Sequence, residues 1–408
     1  MHKFLLSLLL VIQIAGADNT STNVPSVKKY DLGPRPLYLV ESMRTGELQD
    51  KLLSCRDQKN SKTAFSMAHR GAPLQFPEHT RESYMAAARM GAGVIECDVA
   101  FTKDKQLVCR HAQCDLHTTT NILAIPELAA QCSEPFKPAN PATNTRASAR
   151  CCTSDITLAQ FKKLCGKMDA ANLRAQTIRE YMQATASWRT DLYAQCGTLM
   201  THQESIELFK SLQVKFVPEL KTPEVEMPFT AGYDQEDLAA QMIQEYQQAG
   251  VPAELVYPQS FLLSDVLYWI KEFPEFGKNA IYLDNRMYKD SGFKLTADGM
   301  RALKKQGVQT LAPPLWALLE VDRQGQFQAS KYAQLARAAE LQLVTWSLER
   351  SVPIGVKNDW YYQGLNTALK KEGDIYYLLD ALVEKVGVKA VFSDWPATTT
   401  YYANCMAL

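Results

Sequence analysis

Short apolar, β-rich runs recur along this chain with helical patterns between most of them, and that rhythm restricts the fold more than any other feature. The runs are Phe65–Arg70, Val94–Val99, Leu107–His111, Val214–Lys221, Leu255–Phe261, Ala280–Asp284, Thr310–Pro313, Leu341–Ser347 and Val388–Asp394. Helical periodicity fills segments such as Arg81–Met90, Gln235–Ala249, Ser264–Phe273, Ala297–Gln306 and Lys331–Leu341. Strands that alternate with helices form parallel sheets, because a parallel neighbour needs a crossover long enough to hold a helix. Repeated about eight times, the pattern predicts an α/β fold closed into a TIM-type (β/α)8 barrel.

Nine runs are one too many for eight strands. Only seven residues separate Val99 from Leu107, and Thr102-Lys103-Asp104-Lys105 is a polar turn. That gap is too short for a crossover, so the second and third runs are expected to form an antiparallel hairpin. A turn centred on residues 103–105 pairs Asp98 with about residue 110 and returns His111 to Glu96 and Asp98.

Residues 65–408 are assigned to the barrel, with an insertion over about 112–200 on its C-terminal rim, where loops grow without disturbing a core. The insertion is expected to be cysteine-rich and mainly helical, with helix-like stretches from Leu158 to Met168 and Ala175 to Trp188. Residues 1–17 read as a signal peptide: Lys3, an apolar run from Phe4 to Ile14, then Ala15-Gly16-Ala17. That run is too short to span a bilayer, so no transmembrane segment is expected, and no hydrophobic tail follows Leu408, so no glycolipid anchor is expected either. Residues 18–64 form an arm and lead-in, in which Gly33-Pro34-Arg35-Pro36 reads as a turn into a short strand, Leu37–Val40.

All ten cysteines follow the signal peptide, and six fall between Cys114 and Cys196. An even number in an exported chain reads as disulfides, and at least two are expected to involve that region. Export means secreted or periplasmic. The spacing of Cys109, His111, Cys114 and His117 also suits zinc, a reading disfavoured in an oxidising compartment. With 44 basic against 44 acidic residues, one Lys of them in the leader, the mature chain is near neutral. That argues against a general nucleic-acid binder and points to a small-molecule partner.

Three clusters carry chemistry. Ala68-His69-Arg70-Gly71 ends a strand with a proton-exchanging group and a phosphate clamp side by side. In Ile95-Glu96-Cys97-Asp98-Val99 the two carboxylates share one strand face, where burial is costly unless a cation neutralises them. A hard divalent ion, Ca²⁺ or Mg²⁺, takes such oxygen ligands. In Pro218-Glu219-Leu220-Lys221 the Glu offers a third ligand and the Lys a phosphate partner. Thr80 suits the N-cap of the helix from Arg81, and Trp346 and Trp395 stand near strand ends, where aromatics wall pockets or pack.

In order, His69-Arg70-Gly71, Pro77-Glu78-His79-Thr80, Glu96-Cys97-Asp98-Val99, Thr102-Lys103-Asp104 and Leu107–His111 resemble the glycerophosphodiester phosphodiesterase family. Glu219-Leu220-Lys221, Gln259-Ser260-Phe261, Thr345-Trp346-Ser347 and Ser393-Asp394-Trp395-Pro396 continue the order. The resemblance implies the barrel, a divalent metal, and release of glycerol 3-phosphate and an alcohol. It puts the metal on Glu96, Asp98 and Glu219, acid–base chemistry on His69 and His111, and phosphate contacts on Arg70 and Lys221. Trp346 is the aromatic expected to meet substrate. Two positions depart from the family's usual pattern: His79 stands for Asn, and Ala112 for the Asp that commonly follows the histidine. Two alternatives stay open: a phospholipase D-like enzyme acting on lysolipids or sphingolipids at a membrane surface, and a secreted binding protein that has lost catalysis.

Overall fold

The computed structural model describes residues 29–356 and 359–408. The signal-peptide reading of residues 1–17 lies outside them, as does most of the polar arm.

Eight parallel strands close into a barrel. They are β1 (Thr63–Ala68), β2 (Ala92–Phe101), β4 (Lys215–Leu220), β5 (Gln259–Ser260), β6 (Ile281–Leu283), β7 (Thr310–Ala312), β8 (Gln342–Leu348) and β9 (Ala390–Ser393), with β9 pairing back to β1. The ninth run is β3 (Leu107–Cys109), antiparallel to β2 with Val99 opposite Cys109, as the short turn requires. The Arg110 amide donates to the Asp98 carbonyl at 2.8 Å, so the hairpin has the predicted register.

Strand alternation divides the side chains between two cores. Val94, Val217, Ile281, Leu283, Val344 and Phe392 fill the barrel interior. Ile95, Cys97, Val99, Phe216 and Leu220 point outward, beneath the helices. Val94 lies inside, so Glu96 and Asp98 point inside too, nearer the C-terminal mouth.

Two expectations are corrected. Leu37–Val40 lies not in a strand but in a helix, Arg35–Glu41. Pro36 falls in its first turn, where a missing N–H forfeits no bond, while Leu39 and Val40 turn into the core. The insertion is not mainly helical. Its helices, Leu116–Thr119, Pro126–Ala129, Leu158–Phe161 and Ile178–Met182, are single turns accompanied by two small antiparallel strand pairs. Capping boxes at Thr157 and Thr177 start two of these turns. The first cannot run on, because Cys165-Gly166 pairs with Gly197-Thr198 beside the Cys165–Cys196 bridge.

All ten cysteines pair: Cys55–Cys405, Cys97–Cys109, Cys114–Cys152, Cys132–Cys151 and Cys165–Cys196. Three bridges lie within the insertion. Cys109 and Cys114 are therefore spoken for, which removes the zinc reading. Among the described residues no helix is long and apolar enough to cross a membrane.

Denatured without reductant, the protein should give no thiol labelling, and reductant should release ten thiols; labelling at several cysteines of the insertion would contradict this pairing. A second check concerns Gly71, at φ +96°, where an added Cβ would sit 2.9 Å from the Ser83 backbone. Gly71→Ala should lower unfolding free energy by roughly 2–4 kcal/mol in denaturant titration.

Candidate active site

The mouth of the barrel opens into a cavity of about 530 Å³ whose lining includes His69, Arg70, Glu96, His111, Glu219 and Trp346. Six of the eight residues singled out by sequence thus share one wall. Asp98 and Lys221 stand immediately behind it, Asp98 within 4.8 Å of Glu96 and Glu219 and Lys221 bonded to Glu219.

His69 and Arg70 follow β1 directly. Strict alternation would send them to opposite faces, but Arg70 has a left-handed backbone (φ 58°), so the chain leaves the strand and both reach the cavity. The His69 Nδ1 lies 2.5 Å from Asp394 Oδ1, leaving Nε2 for the cavity. The Arg70 amide donates to Glu96 at 2.8 Å and its guanidinium to Glu78 at 2.9 Å.

Glu96, Asp98 and Glu219 offer oxygens that lie within 4.8 Å of one another, all three residues buried. The register places Asp98 beside Glu219 across β2 and β4. Neutralisation from the protein is incomplete. Glu96 accepts from Gln259 at 2.8 Å, Glu219 pairs with Lys221 at 2.5 Å, and Asp98 accepts from His79 at 2.9 Å. The other Asp98 oxygen is buried without a partner. Burial, with Asp98 and Glu219 alongside, pushes Glu96 well above the carboxylate range. Burial lifts Glu219 to about 7 against the pull of Lys221. A buried group of three carboxylates with an orphaned oxygen fits a hard divalent cation, which would supply the missing charge.

His111 arrives on the hairpin and is half-buried. Burial, together with Arg70, Lys221, Arg350 and His69, holds its pKa well below that of a free histidine. Asp115 and Glu78 bring carboxylate oxygens within 4.8 Å of a His111 ring nitrogen, so acidic groups reach this histidine although Ala112 follows it. His79 sits between Tyr84 and Asp98, both at 2.9 Å, with its backbone left-handed (φ 54°). Thr80 caps the helix Arg81–Arg89.

Several cavity residues carried no sequence signal. Tyr288 and Lys289 come from the short helix Arg286–Lys289 after β6, and Trp360 and Tyr361 from the loop after β8. Trp346 and Trp360 stack with centroids 5.7 Å apart, and Tyr288 and Tyr361 meet Trp360 edge-on. Trp395 packs against the outer core instead. Arg350 is also new: it joins Asp394, Asp169 and Glu78.

Glu96→Gln tests the cation site without any assay of catalysis. Neutralising one member of a crowded acidic group should leave stability in chelator unchanged or higher by about 1 kcal/mol, and should abolish the rise in Tm on adding divalent cation. A wild-type Tm indifferent to millimolar Ca²⁺ and Mg²⁺ would speak against the site.

The model of the glycerophosphoryl diester phosphodiesterase family matches residues 69–398. An extracellular protein of Arthroderma benhamiae is 43% identical over 245 residues, which is 59% of this chain and all of that protein. The glycerophosphodiester phosphodiesterase of Bacillus subtilis is 46% identical over 56 residues, 14% of this chain and 19% of the relative. The structure of an Oleispira antarctica phosphodiesterase in complex with its product sn-glycerol-3-phosphate superposes with TM-score 0.51 at 18% identity, covering 83% of this chain and 96% of that one. A structure from Silicibacter pomeroyi covers 88% and 98% at TM-score 0.56 and 15% identity. At such identities the superpositions speak for the fold.

Proposed function

The chain belongs to the glycerophosphoryl diester phosphodiesterase family, and from that premise we propose that it is a secreted, metal-dependent hydrolase cleaving glycerophosphodiesters to glycerol 3-phosphate and an alcohol. The observation that carries this reading is the meeting of Glu96, Asp98 and Glu219 with His69, His111 and Arg70 at one cavity. Five disulfides and a relative named an extracellular protein support export.

Ca²⁺ or Mg²⁺ on Glu96, Asp98 and Glu219 would supply Lewis-acid neutralisation of a phosphodiester oxygen. Arg70 and Lys221 add positive charge beside the same group, favouring the more highly charged transition state. His111, the second histidine lining the cavity, is placed to protonate the departing alcohol. His69, with Nδ1–H on Asp394, presents the Nε2 lone pair and is suited to take the proton from the attacking oxygen, because Asp394 stabilises the imidazolium that forms. Burial, with Arg70 and Arg350 nearby, still lowers the His69 pKa, so the charged form is transient.

The wall of Trp346, Trp360, Tyr288 and Tyr361 favours a second reading, in which the part of the substrate beyond the phosphate is bulky and apolar, as in a lysolipid. Glycerophosphocholine and lysophosphatidylcholine, each with chelator and with metal restored, separate the readings. Metal-restored release of glycerol 3-phosphate from the first supports the proposal. Turnover confined to the second makes the enzyme phospholipase D-like, and turnover of neither leaves a binding protein. His69→Ala and His111→Ala should each lower kcat by roughly a hundredfold or more, with KM changed far less.

A further inference from the structure

A chain of alternating charges runs from the insertion to the imidazole of His69. Arg189 and Asp169, both in the insertion, pair at 2.5 Å. Asp169 pairs with Arg350, from the loop after β8, at 2.6 Å. Arg350 reaches the second oxygen of Asp394 at 3.2 Å, and the first oxygen of Asp394 holds His69 Nδ1 at 2.5 Å. The side chains of Arg350 and Asp169 are 15% and 16% exposed, and that of Asp394 is 3% exposed, so water screens these pairs poorly. Arg189 also donates to the Pro73 carbonyl, which fastens the insertion to the loop after β1.

We propose that the insertion is a working part of the active site, with Asp169 a positioning residue that acts through Arg350 and Asp394 to fix the tautomer and orientation of His69. Asp394 alone has one oxygen on His69 and a second free to turn the carboxylate. Arg350 occupies that second oxygen and stops the rotation. Arg350 has its own alternative anion in Glu78, 3.7 Å away and already engaged by Arg70. Asp169 is what holds the guanidinium on the Asp394 side. The connection spans 181 residues between Asp169 and Arg350 and 44 between Arg350 and Asp394, so only the fold creates it.

The proposal rests on the proton-transfer role given to His69, and the test separates the two. Asp169→Asn keeps the shape and removes the charge; Asp169→Glu restores it. In the full-length protein Asp169→Asn should lower kcat on glycerophosphocholine about tenfold with KM changed less than about twofold, and Asp169→Glu should recover most of the loss. In a His69→Ala background the same Asp169→Asn change should have almost no further effect, because a residue that works through His69 has nothing left to position. Ring ¹⁵N spectra of histidine-labelled protein, with His69 assigned by its loss in His69→Ala, read the same point without substrate. The wild type should show a single Nδ1-protonated tautomer, and Asp169→Asn a mixture. An unchanged His69 spectrum, an equal fold-loss in both backgrounds, or a rise in KM at constant kcat overturns the positioning role. A tautomer change in a protein that hydrolyses no glycerophosphodiester leaves the positioning intact and overturns the functional reading instead.

Discussion

Three carboxylates facing one another at the mouth of the barrel are the constraint around which the site is arranged. Glu96 and Asp98 cannot avoid each other, because they are two residues apart on one strand, and the β2–β4 register adds Glu219. Four donors face this charge: the Arg70 amide, Gln259, Lys221 and His79. They reduce the repulsion without removing it, as the unpartnered Asp98 oxygen records. A barrel interior elsewhere filled by Val94, Val217 and Val344 would not select such a group for stability. Cation binding accounts for it economically.

The second requirement is to bring imidazoles to that charge from separate parts of the chain. For His111 the barrel uses the hairpin, and the Cys97–Cys109 bridge ties its two strands beside Asp98. His69 follows Met67 to the interior by strand alternation, and Arg70 joins it through a left-handed backbone, with Gly71 next, because a Cβ there would run into Ser83. The Ser83 hydroxyl in turn accepts from the Ala72 amide, so the exit from β1 is fixed by the helix that follows.

Sequence legibility followed the range of the interactions. Strand alternation is local, so all nine runs, the shared face of Glu96 and Asp98, and the hairpin were readable. Leu37–Val40 was misread because prolines flanking an apolar run suit either a turn before a strand or the first turn of a helix. In the insertion, capping boxes mark two helix starts, but what ends the helix from Leu158 is the strand pair beside the Cys165–Cys196 bridge, whose partner lies 31 residues away. Arg350 and Asp169 gave no signal at all, since their meaning depends on partners on other loops. Trp360 and Tyr361 were invisible for the same reason, whereas Trp346 lies on a strand and could be placed.

These two kinds of residue also divide the work of the site. The charged floor comes from strand ends, whose positions the hydrogen-bonded barrel dictates, and a shift of one residue there would turn Glu96 or Glu219 into the outer core. Trp346 apart, the aromatic wall comes from the segments that follow β6 and β8, and the anion–cation chain reaches in from the insertion; such connections can lengthen or change without disturbing the ladder. The lining of the cavity can therefore vary through Tyr288, Trp360 and Tyr361 while the carboxylate floor stays fixed. The insertion is not free in the same sense: once Asp169 is bound to Arg350, and Arg350 to the carboxylate that holds His69, a loop that began outside the barrel's requirements is tied to its chemistry.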